Sequence, residues 1–166
     1  MNQPEFPRIV IKLGGGLITE KSKLCTPRID VISDIADAIS ELRARGIVVI
    51  IVHGAGSFGH IKAKSWKLDK GRNDSVEGGY GIESQDQAVI EVRRDLDSLN
   101  GMLISELNNR GVDAKVHPPR DWALGVGENF EGDISRFDVT IDEDVPITFG
   151  DVVPCKKPID FGIAKG

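Results

Sequence analysis

The sequence predicts an α/β fold: a sandwich of helices on a mainly parallel open sheet. Two aliphatic runs read as strands: residues 8–13 as a buried strand and residues 47–52 as one buried on both faces. Between them lies an apolar pattern of helical period, and a second, longer helical stripe runs over 82–110. Strand, helix and strand in that order make a right-handed βαβ unit the expected connection.

The elements follow in turn. Ile9, Val10 and Ile11 open the first strand, and Gly14, Gly15 and Gly16 follow it. Thr26 and Pro27 have the character of an N-cap followed by proline at the first helical position. Ile29, Ile32, Ile35, Ile39 and Leu42 would then bury one helix face, and Gly46 would end it. After the second strand comes another glycine-rich turn, 54–59, with a helix opening at 60–66 and a polar loop over 67–79. Val89, Val92, Leu96, Leu99, Leu103 and Leu107 step by three or four along the long helix, which Gly111 ends. Residues 113–116 read as a third strand. Residues 139–141 and 145–149 read as strand or short-helix pieces, with a turn at Gly150 and Asp151. The pattern β-α-β-α-α-β belongs to an α/β sandwich.

Composition narrows the function classes. The chain has 166 residues, 40% hydrophobic and 28% charged, with a net charge of -5 and a pI near 5.2, the profile of one globular domain. The acidic balance argues against nucleic acid as a partner. It leaves room for a small phosphorylated substrate, which needs only a few local cations. Cys25 and Cys155 lack metal or CxxC spacing and read as reduced thiols. The first five residues lack leader character, and no aliphatic run approaches the ~20 residues that span a bilayer. The expected location is cytoplasmic, with no membrane partner.

The chemistry concentrates at the two glycine turns. Ligands of open α/β sheets bind beyond the carboxyl ends of the strands. Glycines there let backbone N–H groups approach an anion, and a following helix N-terminus adds its positive end. The competing reading for either turn is a tight connection without a ligand. Lys12, at the end of a strand read as buried, is unusual unless its ammonium meets an anion; the alternative is a lysine reaching solvent. Lys21 lies in a loop that can fold back over the site or stay in solvent. His60 stands at the mouth of the second turn, whereas His53 reads as a hydrogen-bonded packing residue. Residues 54–59 also satisfy G-x-G-x-x-G, but no strand ending in an acidic residue follows at the required distance, so a dinucleotide oxidoreductase is disfavoured. The phosphate loop G-x-x-x-x-G-K-[ST] is absent.

Taken together, residues 11–21 (IKLGGGLITEK) and 52–60 (VHGAGSFGH) closely resemble the isopentenyl phosphate kinases of the amino acid kinase family. That group carries K-[IL]-G-G-S-x-I-T-x-K and H-G-G-G-S-F-G-H. Residues 146–153 (PITFGDVV) resemble its later P-V-x-Y-G-D-V segment, in the right order along the chain. The resemblance implies a three-layer αβα sandwich, an ATP-dependent phosphotransferase with Mg²⁺ arriving on ATP, and isopentenyl phosphate or a similar small phosphate or phosphonate as acceptor. It implies that Lys12 and the backbone of Gly14, Gly15, Gly16 and Gly56 meet ATP phosphates, and that Lys21 stabilises charge in transit. It implies further that Gly54, Ala55, Gly59, His60 and Gly150 form the acceptor site. The acceptor's apolar tail would lie between the helix after His60 and the long helix starting near Ile82, and a homodimer is expected.

Gly16 and Ala55 depart from the family pattern, which has serine and glycine there. The family also continues past a segment like 161–166 into an aspartate-containing stretch and a nucleotide-binding domain. Residues 1–166 are therefore expected to be the acceptor-binding, amino-terminal domain, with the nucleotide-binding domain absent. Two alternatives stay open at this level: a fosfomycin-type small-molecule kinase, and a non-catalytic phosphate-binding module.

Overall fold

A computed structural model of the chain describes residues 7–166; residues 1–5, read above for leader character, lie outside the described residues. In chain order the elements are β1 (Arg8–Leu13), α1 (Gly15–Ile18), α2 (Ile29–Ala44), β2 (Val48–His53), α3 (Gly56–Ser65), α4 (Gln85–Asn108), β3 (Ala114–Val116), β4 (Ala123–Leu124), β5 (Glu131–Gly132), β6 (Val145–Phe149), β7 (Asp151–Pro154) and β8 (Phe161–Ala164). Four strands form one parallel sheet in the order β1-β2-β6-β3, as the aliphatic runs predict. The pairs β4–β5 and β7–β8 are separate antiparallel hairpins.

The helices gather on one face of the sheet. Val49 and Ile51 of β2 point into a core with Ile32 and Ile39 of α2 and with Leu96, Leu99, Leu103 and Leu107 of α4. Each of those leucines is essentially inaccessible, and burial on that scale contributes about 2 kcal/mol per side chain. The alternate residues Ile50 and Val52 turn to the other face. There they line a cavity together with Ile134 and Phe137.

Helix boundaries follow local hydrogen bonding. Ser84 caps α4 by accepting the Gln87 N–H at 3.2 Å, so the helix starts at Gln85 rather than at Ile82. Gly46, at φ +77, ends the α2 turn as expected.

Several expectations are corrected. β1 is an edge strand with one neighbour, and Val10 is 60% exposed, so the run at 8–13 is not the buried strand expected. Thr26 and Pro27 do not start α2. Glu20 N–H donates to Thr26 O (2.9 Å) and Arg28 N–H to Ile18 O (2.9 Å), which holds 26–28 extended beside 18–20 until Ile29. Gly15 and Gly16 are already helical, in α1, and Gly56 to Gly59 form the first turn of α3 instead of a loop. Residues 139–141 form neither strand nor helix. Their carbonyls are used by side chains, Val139 O accepting from Arg8 and Ile141 O from Arg43. The turn at Gly150 is a single-residue break, and Asp151 already begins β7.

Candidate active site

Strand register sets the frame of the site. Leu13 of β1 pairs with His53 of β2, and His53 pairs with Phe149 of β6. Three neighbouring parallel strands therefore end level, and the next residue in each is a glycine: Gly14, Gly54 and Gly150. Gly54 N–H donates to Leu13 O and Gly150 N–H to His53 O, both at 2.9 Å, so the ladder runs one residue past the strand ends.

The two glycine turns touch. A Cβ on Gly15 would lie 2.4 Å from Gly56 N, and one on Gly54 would lie 2.7 Å from Gly15 N. Such distances are available only to bare backbone. Gly56 also sits at φ +52, where a side chain is strained. The result is a patch of backbone at the N-terminus of α3, the end that attracts anions.

Three basic residues stand next to this patch along the chain. Lys12 is exposed near the end of β1. Lys21 is exposed, and its stem also passes over the first turn, so features of both readings are present: its Cε lies 2.0 Å from where a Cβ on Gly16 would stand. Glycine at 16 thus leaves the space that the stem of Lys21 uses. His60 is exposed on α3, one turn from Gly56. Among the described residues, neither Lys12 nor Lys21 has a carboxylate within 4.0 Å. Lys62 contrasts with them. It is buried between α3 and α4, with Asp95 at 2.6 Å and Glu91 at 3.5 Å. Burial opposes its charge, but the hydrogen bond and field of Asp95 overcome it and raise its pKa.

Other members of the expected site have structural duties. Gly59 faces Ala55 Cβ and Leu96, where a Cβ would stand 2.7 Å and 3.4 Å away, and its N–H is used by Ala55 O. It lets α3 approach α4. The two helices are in close contact there and at Lys62, along the seam where an acceptor tail was expected. A cavity of about 640 Å³ lies at the ends of β2 and β6, lined by Val52, Trp122, Val126, Phe130 and Phe149. Gly150 lies beside Ala55: a Cβ on Gly150 would stand 3.6 Å from Ala55 N.

Buried polar residues support the patch, and sequence reading singled out only one of them. His53 was expected as a packing residue. Its Nε2 meets Asn100 Oδ1 at 3.0 Å, its ring stacks on Phe149, and burial lowers its pKa. Thr19 and Asp151 were missed. The Thr19 hydroxyl donates to Gly15 O (2.7 Å) and accepts the Ser57 N–H (2.9 Å). Asp151 accepts from the Arg120 guanidinium and from the Arg120 N–H, both at 3.3 Å. Burial raises the Asp151 pKa against the pull of Arg120. Both stand inside the motifs that carry the family resemblance, in residues 11–21 and 146–153, but neither has a periodic signal, and tertiary contacts show what their side chains do.

A model of the amino acid kinase family matches residues 7–162. The chain belongs to the amino acid kinase family. Among curated members it is similar to the isopentenyl phosphate kinase of Thermoplasma acidophilum, at 32% identity over 95% of this chain and 58% of that protein. It is similar also to that of Methanothermobacter thermautotrophicus, at 29% identity over 95% of this chain and 59% of that protein. Among solved structures, an isopentenyl phosphate kinase substrate complex superposes with a TM-score of 0.73 at 29% identity, covering 93% of this chain and 60% of that one. The T. acidophilum isopentenyl phosphate kinase product complex gives 0.72 at 28% identity, covering 95% and 60%. This amino acid kinase chain therefore spans about three-fifths of the length of the relatives it matches, and its parallel sheet with flanking helices is theirs. No helix among its described residues is long and apolar enough to cross a membrane.

Proposed function

We propose that this chain supplies the acceptor site of an ATP-dependent isopentenyl phosphate kinase. The observation that carries the reading is the contact between the two glycine turns at the level ends of β1, β2 and β6. It leaves one backbone surface, the N-terminal turn of α3, flanked by Lys12, Lys21 and His60. A phosphate monoester is an anionic nucleophile near neutral pH, so the transfer needs no strong general base. A phosphate oxygen of the acceptor attacks the γ-phosphorus of ATP, and the bond to the β-phosphate oxygen breaks to release ADP. Charge builds on the moving phosphoryl group, and preorganised N–H groups and ammoniums are suited to stabilise it.

In this reading His60 and the N–H of Ala55 hold the acceptor's phosphate, with Gly54 and Gly150 shaping the floor. Lys12, Lys21 and the backbone of Gly14, Gly15, Gly16 and Gly56 meet the phosphates of ATP. Gly59 serves by bringing α3 against α4. Mg²⁺ accompanies ATP in such transfers. The donors at this patch are ammoniums, imidazole and amides, which suit anions, and no cluster of three metal-ligating side chains occurs among the described residues. No Mg²⁺ ligand is therefore assigned to this chain.

Calorimetric titration with isopentenyl phosphate tests the reading, with His60→Ala alongside and ADP release measured in the same samples. Saturable binding that His60→Ala weakens by about 1–3 kcal/mol supports it. A folded wild-type chain that does not bind would sink it. Binding without ADP release would support the phosphate-binding part of the reading alone.

A further inference from the structure

Thr19 is fully buried in the loop that carries Lys21, yet its hydroxyl is spent entirely on groups of the two glycine turns. It donates to Gly15 O at 2.7 Å, the same carbonyl that accepts the Thr19 N–H at 3.0 Å. It accepts the Ser57 N–H at 2.9 Å. It also abuts Gly56, where a Cβ would stand 2.3 Å from Oγ1. Ser57 returns the link: its carbonyl accepts the Cys25 N–H and its Oγ the Thr26 N–H, both at 3.3 Å. The loop bearing Lys21 and the helix bearing His60 are thus joined around Ser57, and the Thr19 hydroxyl makes the shortest of these links.

The consequence concerns the first turn of α3. The first N–H groups of a helix have no partner within it and are the ones an anion can use. One of them, that of Ser57, is already taken by Thr19. We propose that Thr19 is a positioning residue for the phosphate site: its hydroxyl withdraws the Ser57 N–H and so selects the neighbouring N–H groups, with Gly56 foremost, to face the incoming phosphate. Without the hydroxyl, the Ser57 N–H is released, the first turn loses its tether to Gly15, and the bonds of Cys25 and Thr26 to Ser57 are left to hold the Lys21 loop against the helix of His60. The inference rests on reading the glycine turns as a phosphate site.

The test compares wild type, Thr19→Ser and Thr19→Val in the whole chain. Isopentenyl phosphate and inorganic phosphate serve as probes by calorimetry, and amide signals are followed by NMR. Thr19→Val, folded at the assay temperature, is expected to bind isopentenyl phosphate roughly tenfold more weakly, the effect of one lost hydrogen bond. Thr19→Ser keeps the hydroxyl and is expected to remain within about twofold. In wild type the Ser57 amide exchanges slowly with and without ligand, while the Gly56 amide signal moves on titration. A folded Thr19→Val that binds as wild type does, or a Thr19→Ser that loses as much as Thr19→Val, overturns the inference. Should Thr19→Val fail to fold, the wild-type amides decide: fast exchange at Ser57, or protection only when ligand is added, overturns it. A folded wild type that binds neither probe removes the phosphate-site reading and the positioning role together. That outcome is distinct, because the variants then have no affinity to compare.

Discussion

Asp95 of α4 holds the ammonium of Lys62 at 2.6 Å, two residues along α3 from His60, and the same carboxylate neighbours the Cys25 thiol. This pair fixes the helix that carries His60 against the longest helix of the fold, and both partners are largely shielded from water. Removing Asp95 leaves the buried ammonium only the longer contact with Glu91 at 3.5 Å. Asp95→Asn is expected to lower stability by about 2–4 kcal/mol, and Lys62→Met with Asp95→Leu to recover more than half of that, measured by urea unfolding. Because the Lys62 pKa is raised in the fold, this stabilisation is complete below the ordinary lysine value and is lost only as pH climbs through the raised one. Stability curves should therefore be insensitive to this pair at neutral pH.

The Cys25 thiol is pushed up to about 11, first by burial and then by the Asp95 carboxylate. The thiolate is the reactive form. At pH 8 Cys25 should react with iodoacetamide roughly a hundredfold more slowly than a free cysteine. Asp95→Asn should speed that reaction, and peptide mass mapping separates Cys25 from Cys155. Rapid labelling of wild-type Cys25 in the folded chain would contradict the arrangement.

His53 is neutral in the fold because burial lowers its pKa. The unfolded chain takes up the proton near the ordinary histidine value, about 6.5, and the folded chain only at lower pH. The stability gained from neutral His53 is thus complete above about pH 6.5 and is lost as pH falls towards the depressed value. Between pH 7 and 5 the slope from this residue should reach at most about 1.4 kcal/mol per pH unit. His53→Gln should flatten the pH dependence of unfolding over that range, and an unchanged slope would refute the assignment.

Neighbouring glycines should respond differently to alanine. Gly56→Ala meets Gly15 O at 2.8 Å and keeps a strained φ of +52, so a loss of roughly 2–4 kcal/mol is expected. Gly14→Ala has nothing within 4 Å and an extended backbone, and its stability should change by about 0.5 kcal/mol or less. Thermal unfolding of the two variants side by side checks the contrast.

Much of the fold was legible because periodicity reports burial. The leucine stripe of α4 and the β-branched run of β2 are both buried as their patterns require. β1 misled for the same reason: Ile9, Val10 and Ile11 look like a central strand, and only sheet order reveals an edge. Thr26 and Pro27 are good helix starters that a short antiparallel ladder to 18–20 overrides. At the site, the glycine turns were readable because they follow strands directly, and their mutual contact was not, since Gly15 and Gly56 meet only after the βαβ crossover. Asp151 stands in the recognisable segment 146–153, but its contact with Arg120 and the pairing of β7 with β8 left no periodic pattern to read.

The level ends of β1, β2 and β6 bear on which length changes this chain can accept. One residue added inside β2 would advance its end by about 3.3 Å and reverse the face of every side chain beyond it. Gly54 would then miss Gly15, and His53 would turn away from Asn100. The polar stretch over 67–79 bears no such constraint from the ladder. Single-residue insertions should therefore be lethal to the strand termini and mild in that loop, so the spacing of the site is kept by counting residues in the sheet.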